Sequence, residues 1–461
     1  MSSEKIKFND TFLFGKSGVS PSRLESLSER LDICREWLLE LHEKMELSFL
    51  NLPFEKNALS DLQKLVDTID FSIKDVVVLG IGGSSLGPKA IYSALKPPYY
   101  DLNDKVRRVH FPDNIDPASF KALLDYLDPD RTLFLVITKS GGTAETATQF
   151  MIVWDYLNSH FDKKQAIEHL IAVTDPEKGS LRALVNEYGL KNCSIPQNVG
   201  GRFSVFSPVG LLPTVLAQLD AGQLLAGAGD MASSFRQGDV NHMALRAAGL
   251  FYLLHMEKKC PVHVLMPYSD AFYDTALWFN QLWGESLGKR KNLQGEDIFV
   301  GPTPVAARGA TDQHSQLQLF VEGPKDKIIT FLEVSDPGND LEIPRVFGDY
   351  DSYSYLAGHT MGELLKTELA ATSLALNKAE RPNCSLILEK VDAYNLGQLF
   401  MFYQIATAVS GKLYNINPFN QPGVEQGKQY TYGAFGRPGF ETEGKVMNKF
   451  KTGFATDSAK K

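Results

Sequence analysis

The feature of this sequence that most limits its fold is a repeated pattern of short apolar runs that end in small polar residues. The runs Val76–Leu79, Leu133–Ile137 and Leu170–Val173 show no alternation of apolar and polar residues, and a helical stretch follows each. Strands without alternation are buried on both faces, and strands separated by helices usually pair in parallel. The pattern predicts an α/β fold with a mainly parallel sheet between two layers of helices.

The same pattern returns in the second half of the chain, after a long helical region at about 208–258. Its clearest strands are Val262–Met266, Ile328–Val334 and Ser385–Leu388. A chain of 461 residues has room for two or three domains of roughly 100–200 residues each. We therefore expect two successive three-layer α/β units rather than one large sheet.

The two ends of the chain differ from these units. Residues 1–45 carry leucines near helical spacing, which predicts a helical extension that packs on the rest of the protein. The end of the chain is rich in glycine, lysine and threonine and has weak periodicity. We predict a first unit over 46–205, a second unit over 206–430 and a tail over 431–461 that wraps around the protein or frays.

Composition and charge exclude several classes of function. With 47 basic and 55 acidic residues the net charge is −8, which argues against broad electrostatic binding to nucleic acid. Four scattered cysteines without a C-x-x-C pair indicate neither a disulfide framework nor a cysteine zinc site. The chain shows no signal peptide and no apolar run of the ~20 residues that a membrane span needs. We expect a water-soluble, cytoplasmic protein that binds neither nucleic acid nor membranes.

Two of the turns have a composition that suits an anion. Gly80–Ser85 and Thr138–Thr143 follow the ends of predicted strands, where ligands bind in a parallel α/β sheet. Glycine lets the backbone approach a ligand, and hydroxyl groups and helix-start amides donate hydrogen bonds to it. The second turn, with three hydroxyls, one lysine and two glycines, suits a phosphate monoester. Tight connections without a ligand are the alternative for both turns.

Known motifs fit the first turn poorly. A dinucleotide fingerprint requires glycine where Ser85 stands, and a P-loop requires Gly-Lys-Ser/Thr where Pro88-Lys89-Ala90 stands. Gly83–Gly87 matches the G-x-S-x-G nucleophile elbow, but no His-Gly-Gly oxyanion segment precedes it. The motifs therefore give little support to a dehydrogenase, a nucleotidase or a serine hydrolase.

Two charged residues stand in apolar surroundings. Arg202 follows two glycines, and the next seventeen residues carry no charge, so its burial requires an anion. Glu285 lies in a predicted helix of bulky apolar residues, with Gln281 one turn earlier on the same face. Burial makes a carboxylate more basic, which suits proton abstraction. The alternatives are a structural ion pair for Arg202 and an exposed Glu285–Lys289 pair.

His314 and Lys428 complete the set of candidate residues. His314 lies in a polar segment that resembles a site loop, and Lys428 follows a turn-rich segment that leads into a helix. Taken alone, either residue is more typical of a solvated surface position. No H-E-x-x-H or paired His/Asp spacing indicates a metal site.

Together these segments resemble the phosphoglucose isomerase family. The stretches Gly200–Gly210 and Phe419–Lys428 are similar to the two family signatures, and the turns, the Glu285 helix and the Gln313–His314 loop recur in the family's order. The resemblance covers about residues 50–430. It implies two sugar-isomerase (SIS) domains in a homodimer. It also implies an aldose–ketose isomerase that converts glucose 6-phosphate to fructose 6-phosphate through ring opening and a cis-enediolate, without a cofactor or metal ion.

The resemblance also implies a role for each candidate residue. Glu285 would move a proton between C2 and C1, and Arg202 would stabilise the enediolate. Lys428 and a His314 from the neighbouring subunit would open the sugar ring. The substrate would be held by residues of both turns and by two glutamines: Gly83, Ser84, Thr138, Lys139, Ser140, Thr143, Gln281 and Gln421.

Two other functions suit the same architecture. A non-catalytic sugar-phosphate regulator would need the phosphate turns but not the base, so the presence of Glu285, Arg202, His314 and Lys428 together argues against it. A dehydrogenase would respond to NAD, which makes it simple to test. The sequence does not exclude mannose 6-phosphate as a further substrate.

Overall fold

The computed structural model describes residues 6–16, 18–70, 72–96 and 107–458. Within those ranges the strands, in chain order, are β1 (Ile6–Asn9), β2 (Asp75–Leu79), β3 (Arg108–His110), β4 (Thr132–Ile137), β5 (Leu170–Thr174), β6 (Lys191–Ser194), β7 (Val262–Pro267), β8 (Lys289–Lys291), β9 (Asp297–Val300), β10 (Thr303–Ala306), β11 (Lys327–Asp336) and β12 (Asn383–Lys390). The α-helices are α1 (Pro21–Glu25), α2 (Ser28–Glu43), α3 (Ala58–Val66), α4 (Leu86–Leu95), α5 (Pro117–Tyr126), α6 (Ala144–His160), α7 (Lys163–Glu168), α8 (Ser180–Tyr188), α9 (Pro208–Leu216), α10 (Ala221–Gln237), α11 (Met243–Lys258), α12 (Tyr273–Leu287), α13 (Leu317–Glu322), α14 (Asp351–Ser354), α15 (Met361–Lys378), α16 (Ala393–Leu413), α17 (Glu425–Ala434) and α18 (Glu441–Ser458).

The first half of the chain forms a parallel five-stranded sheet in the order β3-β2-β4-β5-β6. Every residue of β2, β4 and β5 is buried, which is why these runs carry no polar alternation. Successive side chains face opposite cores: Val76 and Val78 belong to the core shared with the second half, while Val77 and Leu79 pack under α5 and α6. The predicted sheet between two helical layers is confirmed.

The second half forms a second five-stranded sheet in the order β1-β12-β11-β7-β10. Its four strands from this half are parallel, and they follow the same relative order as the first four strands of the first sheet. The predicted strands Val262–Met266, Ile328–Val334 and Ser385–Leu388 correspond to β7, β11 and β12. The prediction of two α/β units with mainly parallel sheets is therefore confirmed.

The N-terminal segment differs from the prediction of a purely helical extension. Ile6–Asn9 forms strand β1, which pairs antiparallel with β12 and completes the second sheet. A strand of four residues is too short to show periodicity, and it is stabilised by pairing with a distant strand edge. The expected helices follow as α1 and α2, while residues 1–5 lie outside the described residues.

The C-terminal segment is more regular than the predicted tail. Helix α17 crosses the predicted boundary at 430, and α18 packs against it so closely that a Cβ on Gly433 would lie 2.3 Å from the Gly444 amide nitrogen. Most residues of the two helices up to residue 451 are exposed, so no long apolar stripe marks this part of the sequence. The last three residues of the predicted tail, 459–461, lie outside the described residues. The division at residues 45, 205 and 430 stays a prediction.

Two helices connect the units. Helix α16 is buried along almost its whole length, and α12 packs between β10 and helix α4 of the first unit. The Ser93 hydroxyl of α4 donates to the Asp274 carboxylate of α12. This packing places the C-terminal half of α12 beside the turn that follows β2. None of the helices in the described ranges combines the length and apolar character that crossing a membrane requires.

Candidate active site

The two predicted anion-binding turns meet at one edge of the first sheet. Strands β2 and β4 are neighbours, with Leu79 opposite Val136, so the chain leaves both strands at the same end. The order of strands reverses between them, since β3 lies on one side of β2 and β4 on the other. This is the position where open α/β sheets bind ligands.

The first turn lies against the other segments of the site. Gly82 has a φ of +58°, and a Cβ there would lie 2.8 Å from Gln281 Nε2. A Cβ on Gly83 would lie 2.2 Å from the carbonyl oxygen of Gly201. Glycine is needed at both positions because the backbone of this turn touches α12 on one side and the Arg202 segment on the other.

The second turn presents hydroxyls at the start of a long helix. The Thr138 and Thr143 hydroxyls lie 3.4 Å apart, and the Gly142 amide donates to the Ser140 hydroxyl at 3.3 Å. Gly141 has a φ of +69°, and a Cβ there would lie 2.3 Å from the Leu181 amide nitrogen. Helix α6 begins at Ala144, so its free N-terminal amides and its dipole favour an anion at this turn.

Lys139 lies beside the second turn, but its ammonium is held by the backbone. Its Nζ donates to the carbonyl of Gln197 at 2.6 Å and to that of Val199 at 3.0 Å. Burial lowers the pKa of Lys139, and Asp175 opposes that shift. The lysine therefore connects the second turn to the loop that precedes Arg202.

Arg202 is buried at the centre of the site, with 3% of its surface exposed. Its Nε donates to the Ser286 hydroxyl at 2.6 Å, and its Nη1 donates to Gln421 Oε1 at 3.0 Å. Its Nη2 donates to the carbonyl of Pro418 and, at 3.2 Å, to that of Asn420. These bonds fix the plane of the guanidinium from three directions. The bond from Nη1 also places Gln421 beside Arg202.

Glu285 faces this guanidinium. Its Oε2 lies 3.5 Å from Arg202 Nη1 and accepts a hydrogen bond from Gln281 Nε2 at 3.2 Å. About a quarter of the Glu285 side chain, 24%, is exposed, which leaves the carboxylate accessible to a ligand. Burial lowers the pKa of Arg202, and the neighbouring Glu285 carboxylate opposes the shift. A carboxylate and a fixed cation thus stand side by side next to the first turn.

The alternative of an exposed Glu285–Lys289 pair is wrong. Lys289 is buried, and its Nζ donates to the backbone carbonyls of Glu285 and Ser286 at 2.8 and 2.7 Å. The chain turns away from the helix axis after Leu287, so the four-residue spacing does not place Lys289 on the exposed helix surface. Sequence reasoning missed Lys289 and Ser286 as members of the site. A lysine just after a helix end was the one available signal.

His314 and Lys428 have other partners than this group. His314 ends a single 3₁₀ turn and is exposed, while its neighbour Gln313 is anchored to Thr372 Oγ1 at 2.8 Å. Lys428 projects from α17 and pairs with Glu425 at 2.9 Å. In the described part of the chain, no hydrogen bond or ion pair connects either side chain to Glu285. Direct contacts within one chain thus join the first turn, Arg202, Glu285 and the two glutamines, and among the described residues they do not include His314 or Lys428.

The described residues include no group of three His, Cys, Asp or Glu side chains placed to hold a metal ion. The arrangement offers other chemistry. Hydroxyls and helix-start amides can bind a phosphate, while a carboxylate and a guanidinium can act together on a carbon acid.

The sequence is similar to known proteins over most of its length. The family model described as phosphoglucose isomerase matches residues 65–436. A glucose-6-phosphate isomerase of Carboxydothermus hydrogenoformans is 43% identical over 454 residues, which cover 97% of this chain and 98% of the relative. The glucose-6-phosphate isomerase of Rubrobacter xylanophilus is 40% identical over 428 residues, with coverage of 92% and 96%.

Solved structures have the same fold. A hypothetical protein of Thermus thermophilus superimposes with a TM-score of 0.85 at 37% identity, over 94% of this chain and 100% of that one. A glucose-6-phosphate isomerase from Chlamydia trachomatis gives a TM-score of 0.78 at 24% identity, over 94% and 90% of the two chains. The match over most of the sequence and the match of the fold lead to the same conclusion: the chain belongs to the phosphoglucose isomerase family.

Proposed function

We propose that this protein is an aldose–ketose isomerase that interconverts glucose 6-phosphate and fructose 6-phosphate in glycolysis and gluconeogenesis. The reaction proceeds through opening of the sugar ring and a cis-enediolate intermediate. The observation that carries the proposal is the pairing of Glu285 with Arg202 beside a turn suited to a phosphate. The names of the similar proteins support the same reaction.

The chemistry requires a base and a cation at adjacent atoms. A proton on the carbon next to a carbonyl is weakly acidic, so its removal needs stabilisation of the charge that develops on oxygen. Glu285 takes the C2 proton of the open-chain aldose and returns it to C1, while the hydroxyl proton of O2 passes to O1, which gives the ketose. Arg202 faces the enediolate oxygens meanwhile. The oxidation level only shifts within the sugar, so the reaction needs no redox cofactor.

The phosphate of the substrate binds at the two turns. The hydroxyls of Ser84, Thr138, Ser140 and Thr143 and the amide of Gly83 donate to its oxygens, and the N-terminus of α6 adds a favourable dipole. Lys139 contributes a positive charge from its anchored position. Binding energy at this end of the molecule positions C1 and C2 at the other end.

Gln281 and Gln421 orient the sugar between these groups. Each holds one member of the reacting pair, since Gln281 donates to Glu285 and Gln421 accepts from Arg202. The Oε1 atom of Gln281 is buried and, among the described residues, has no hydrogen-bond partner. A buried acceptor without a partner is unfavourable, so a substrate hydroxyl that draws this amide toward the sugar would gain a hydrogen bond.

Ring opening is assigned to His314 and Lys428 in a homodimer, with His314 supplied by the neighbouring subunit. The exposure of His314 supports a role across an interface. An apolar surface lies further along the chain, where Phe347 and Tyr355 are 65% and 68% exposed. Large exposed apolar groups of this kind mark protein interfaces. We place the enzyme in the cytoplasm, in keeping with its four free cysteines.

A coupled assay of the purified protein tests the proposal. Fructose 6-phosphate is the substrate, and the glucose 6-phosphate formed is detected by a dehydrogenase. Wild-type protein should turn over, and E285Q should lose at least about 100-fold in kcat while it still binds the sugar phosphate. Binding without turnover by the wild type would instead indicate a regulator. A change in NAD absorbance without the coupling enzyme would indicate a dehydrogenase.

A further inference from the structure

A tight backbone contact just after α12 bends the chain so that Lys289 lies at the end of this helix. The helix ends at Leu287, and Gly288 packs against Gly301, where a Cβ would lie 2.6 Å from the Gly288 Cα. Gly301 has a φ of +149°, a conformation that favours glycine. Pairing of Lys289 with Val300 in the β8–β9 hairpin then fixes the lysine backbone. Its side chain lies over the last turn of α12.

The Lys289 ammonium satisfies carbonyls that the helix leaves free. The last four carbonyls of an α-helix lack amide partners within it, and a cation there also interacts well with the helix dipole. Nζ of Lys289 donates to the carbonyls of Glu285 and Ser286 at 2.8 and 2.7 Å. The lysine is only 7% exposed, so these bonds are shielded from water.

The same two residues carry the reacting pair. The side chain of Glu285 is the proposed base, and the hydroxyl of Ser286 accepts from Arg202 Nε at 2.6 Å. A shift of this helical turn would therefore move the base and the guanidinium anchor together. A displacement of about 1 Å can reduce turnover about 100-fold.

We propose that Lys289 is a positioning residue for the isomerisation: its ammonium caps the end of α12 and holds Glu285 and Arg202 in their reacting arrangement. This inference rests on the proposed function, in which Glu285 is the base. The ammonium of Lys289 donates to backbone carbonyls, so the lysine positions the helix end and is not itself a catalytic residue.

The Lys289 ammonium that caps α12 loses its charge within the pH range of an enzyme assay. Burial, and then the positive charge of Arg202, lower the pKa of Lys289 to about 8, while Glu285 acts in the opposite direction. The facing strand residue Val300 and the adjacent Gly301 carry no charge. Above about pH 8 the ammonium loses its proton, and the cap weakens.

The contributions of Lys289 to stability and to activity should then respond to pH in opposite directions. Between about 8 and the ordinary pKa of 10.5, Lys289 is protonated in the unfolded chain and neutral in the folded one. The unfolded state binds more protons in this interval, so this group makes the folded state more stable as the pH rises. Turnover should fall over the same interval. A lysine with a purely structural role would not lower turnover while stability rises.

The test compares wild type, K289M and K291M by kcat, KM and thermal midpoint from pH 7 to 9.5. Lys291 lies in the same hairpin, but its side chain is 59% exposed and pairs with Asp297, so K291M is the matched control. We expect K289M to lose about 10- to 100-fold in kcat at pH 7 with KM within about twofold. Its kcat should no longer decline above pH 8. K291M should match wild type.

Either of two results would overturn the inference: a K289M kcat within about twofold of wild type at pH 7, or a wild-type kcat that stays constant to pH 9.5. The second result needs no variant, so the inference can be tested even where K289M does not fold. Loss of wild-type turnover at every pH would overturn the proposed function and this inference with it. A normal wild type, an inactive E285Q and a normal K289M would overturn this inference alone.

Discussion

The hydroxyl of Ser286 accepts a hydrogen bond from Arg202 Nε at 2.6 Å, one residue after the proposed base Glu285. The helix that carries the carboxylate thus also anchors the guanidinium that faces it. Ser286 is fully buried, and water cannot replace its hydroxyl without a rearrangement. The relative position of base and cation is therefore set by adjacent residues of one helical turn.

Replacement of Ser286 by alanine should remove the hydrogen bond that fixes Arg202 relative to Glu285. S286A leaves a buried, charged N–H group without its acceptor, which costs about 1–3 kcal/mol. We expect kcat to fall about tenfold or more as the guanidinium adjusts, with little change in KM, because the phosphate turns are untouched. Steady-state kinetics will check this result. S286T, which keeps the hydroxyl, is the control, and an S286A enzyme with normal kcat would contradict the proposed coupling.

Two glycines in the turns should respond very differently to alanine. A Cβ on Gly83 would lie 2.2 Å from the backbone oxygen of Gly201, whereas a Cβ on Gly142 would meet nothing within 4 Å. We expect G83A to separate the first turn from the Arg202 segment, at a cost of about 1–3 kcal/mol in stability and with a raised KM. G142A should keep the stability and the KM of wild type. Thermal unfolding and KM for fructose 6-phosphate will distinguish them, and equal effects in the two variants would argue against this close contact.

Buried histidines should make the protein sensitive to mild acid. Burial lowers the pKa of His263 to about 3 and that of His42 and His242 to about 4. Each of these pKa values lies below the ordinary histidine value of 6.5. The unfolded state therefore binds more protons than the folded state as the pH falls through 6.5. Each such histidine removes about 1.4 kcal/mol of stability per pH unit below that value.

The measurement is the free energy of unfolding in denaturant between pH 6.5 and 5, above the range where most carboxylates titrate. We expect a decrease over this interval in wild type and in the control H160A, since His160 is exposed. A free energy that does not change with pH would show that these histidines are not held neutral in the folded protein.

The sequence predicted the elements that are buried along their whole length. Strands β2, β4 and β5 are buried along their whole length, so their apolar runs stand out, and the turns that follow them could be located from the ends of those runs. Strands β1 and β3 have four and three residues, too few for a periodic signal. Their formation depends on pairing with strands distant in sequence or across a helix.

The candidate site was predictable where a residue acts through its own type and position. Arg202 and Glu285 were conspicuous as charges among apolar residues, and they do face each other. Lys289 and Ser286 were missed, because their roles depend on the direction in which the chain leaves α12. The spacing of four between Glu285 and Lys289 is typical of an exposed pair, but the bend at Gly288 turns the lysine onto the helix end.

The assignment of His314 to the neighbouring subunit predicts complementation between two inactive variants. In a dimer of one E285Q chain and one H314A chain, one site carries both substitutions and the other carries neither. Random mixing places half of the chains in such mixed dimers, so about a quarter of wild-type activity should appear. Each variant alone should be inactive or slow. The mixture is prepared by unfolding and refolding the two variants together, and its activity is measured in the coupled assay.

The alternative, in which His314 acts within its own chain, predicts a different result for the same mixture. If His314 acts on the site of its own chain, each site in the mixed dimer carries one substitution, and mixing restores nothing above the average of the two variants. E285Q mixed with R202A provides the comparison, because Arg202 and Glu285 lie 3.5 Å apart in one chain and must be intact together. That mixture should gain no activity. Recovery with H314A but not with R202A would place the histidine, and not the arginine, across the subunit interface.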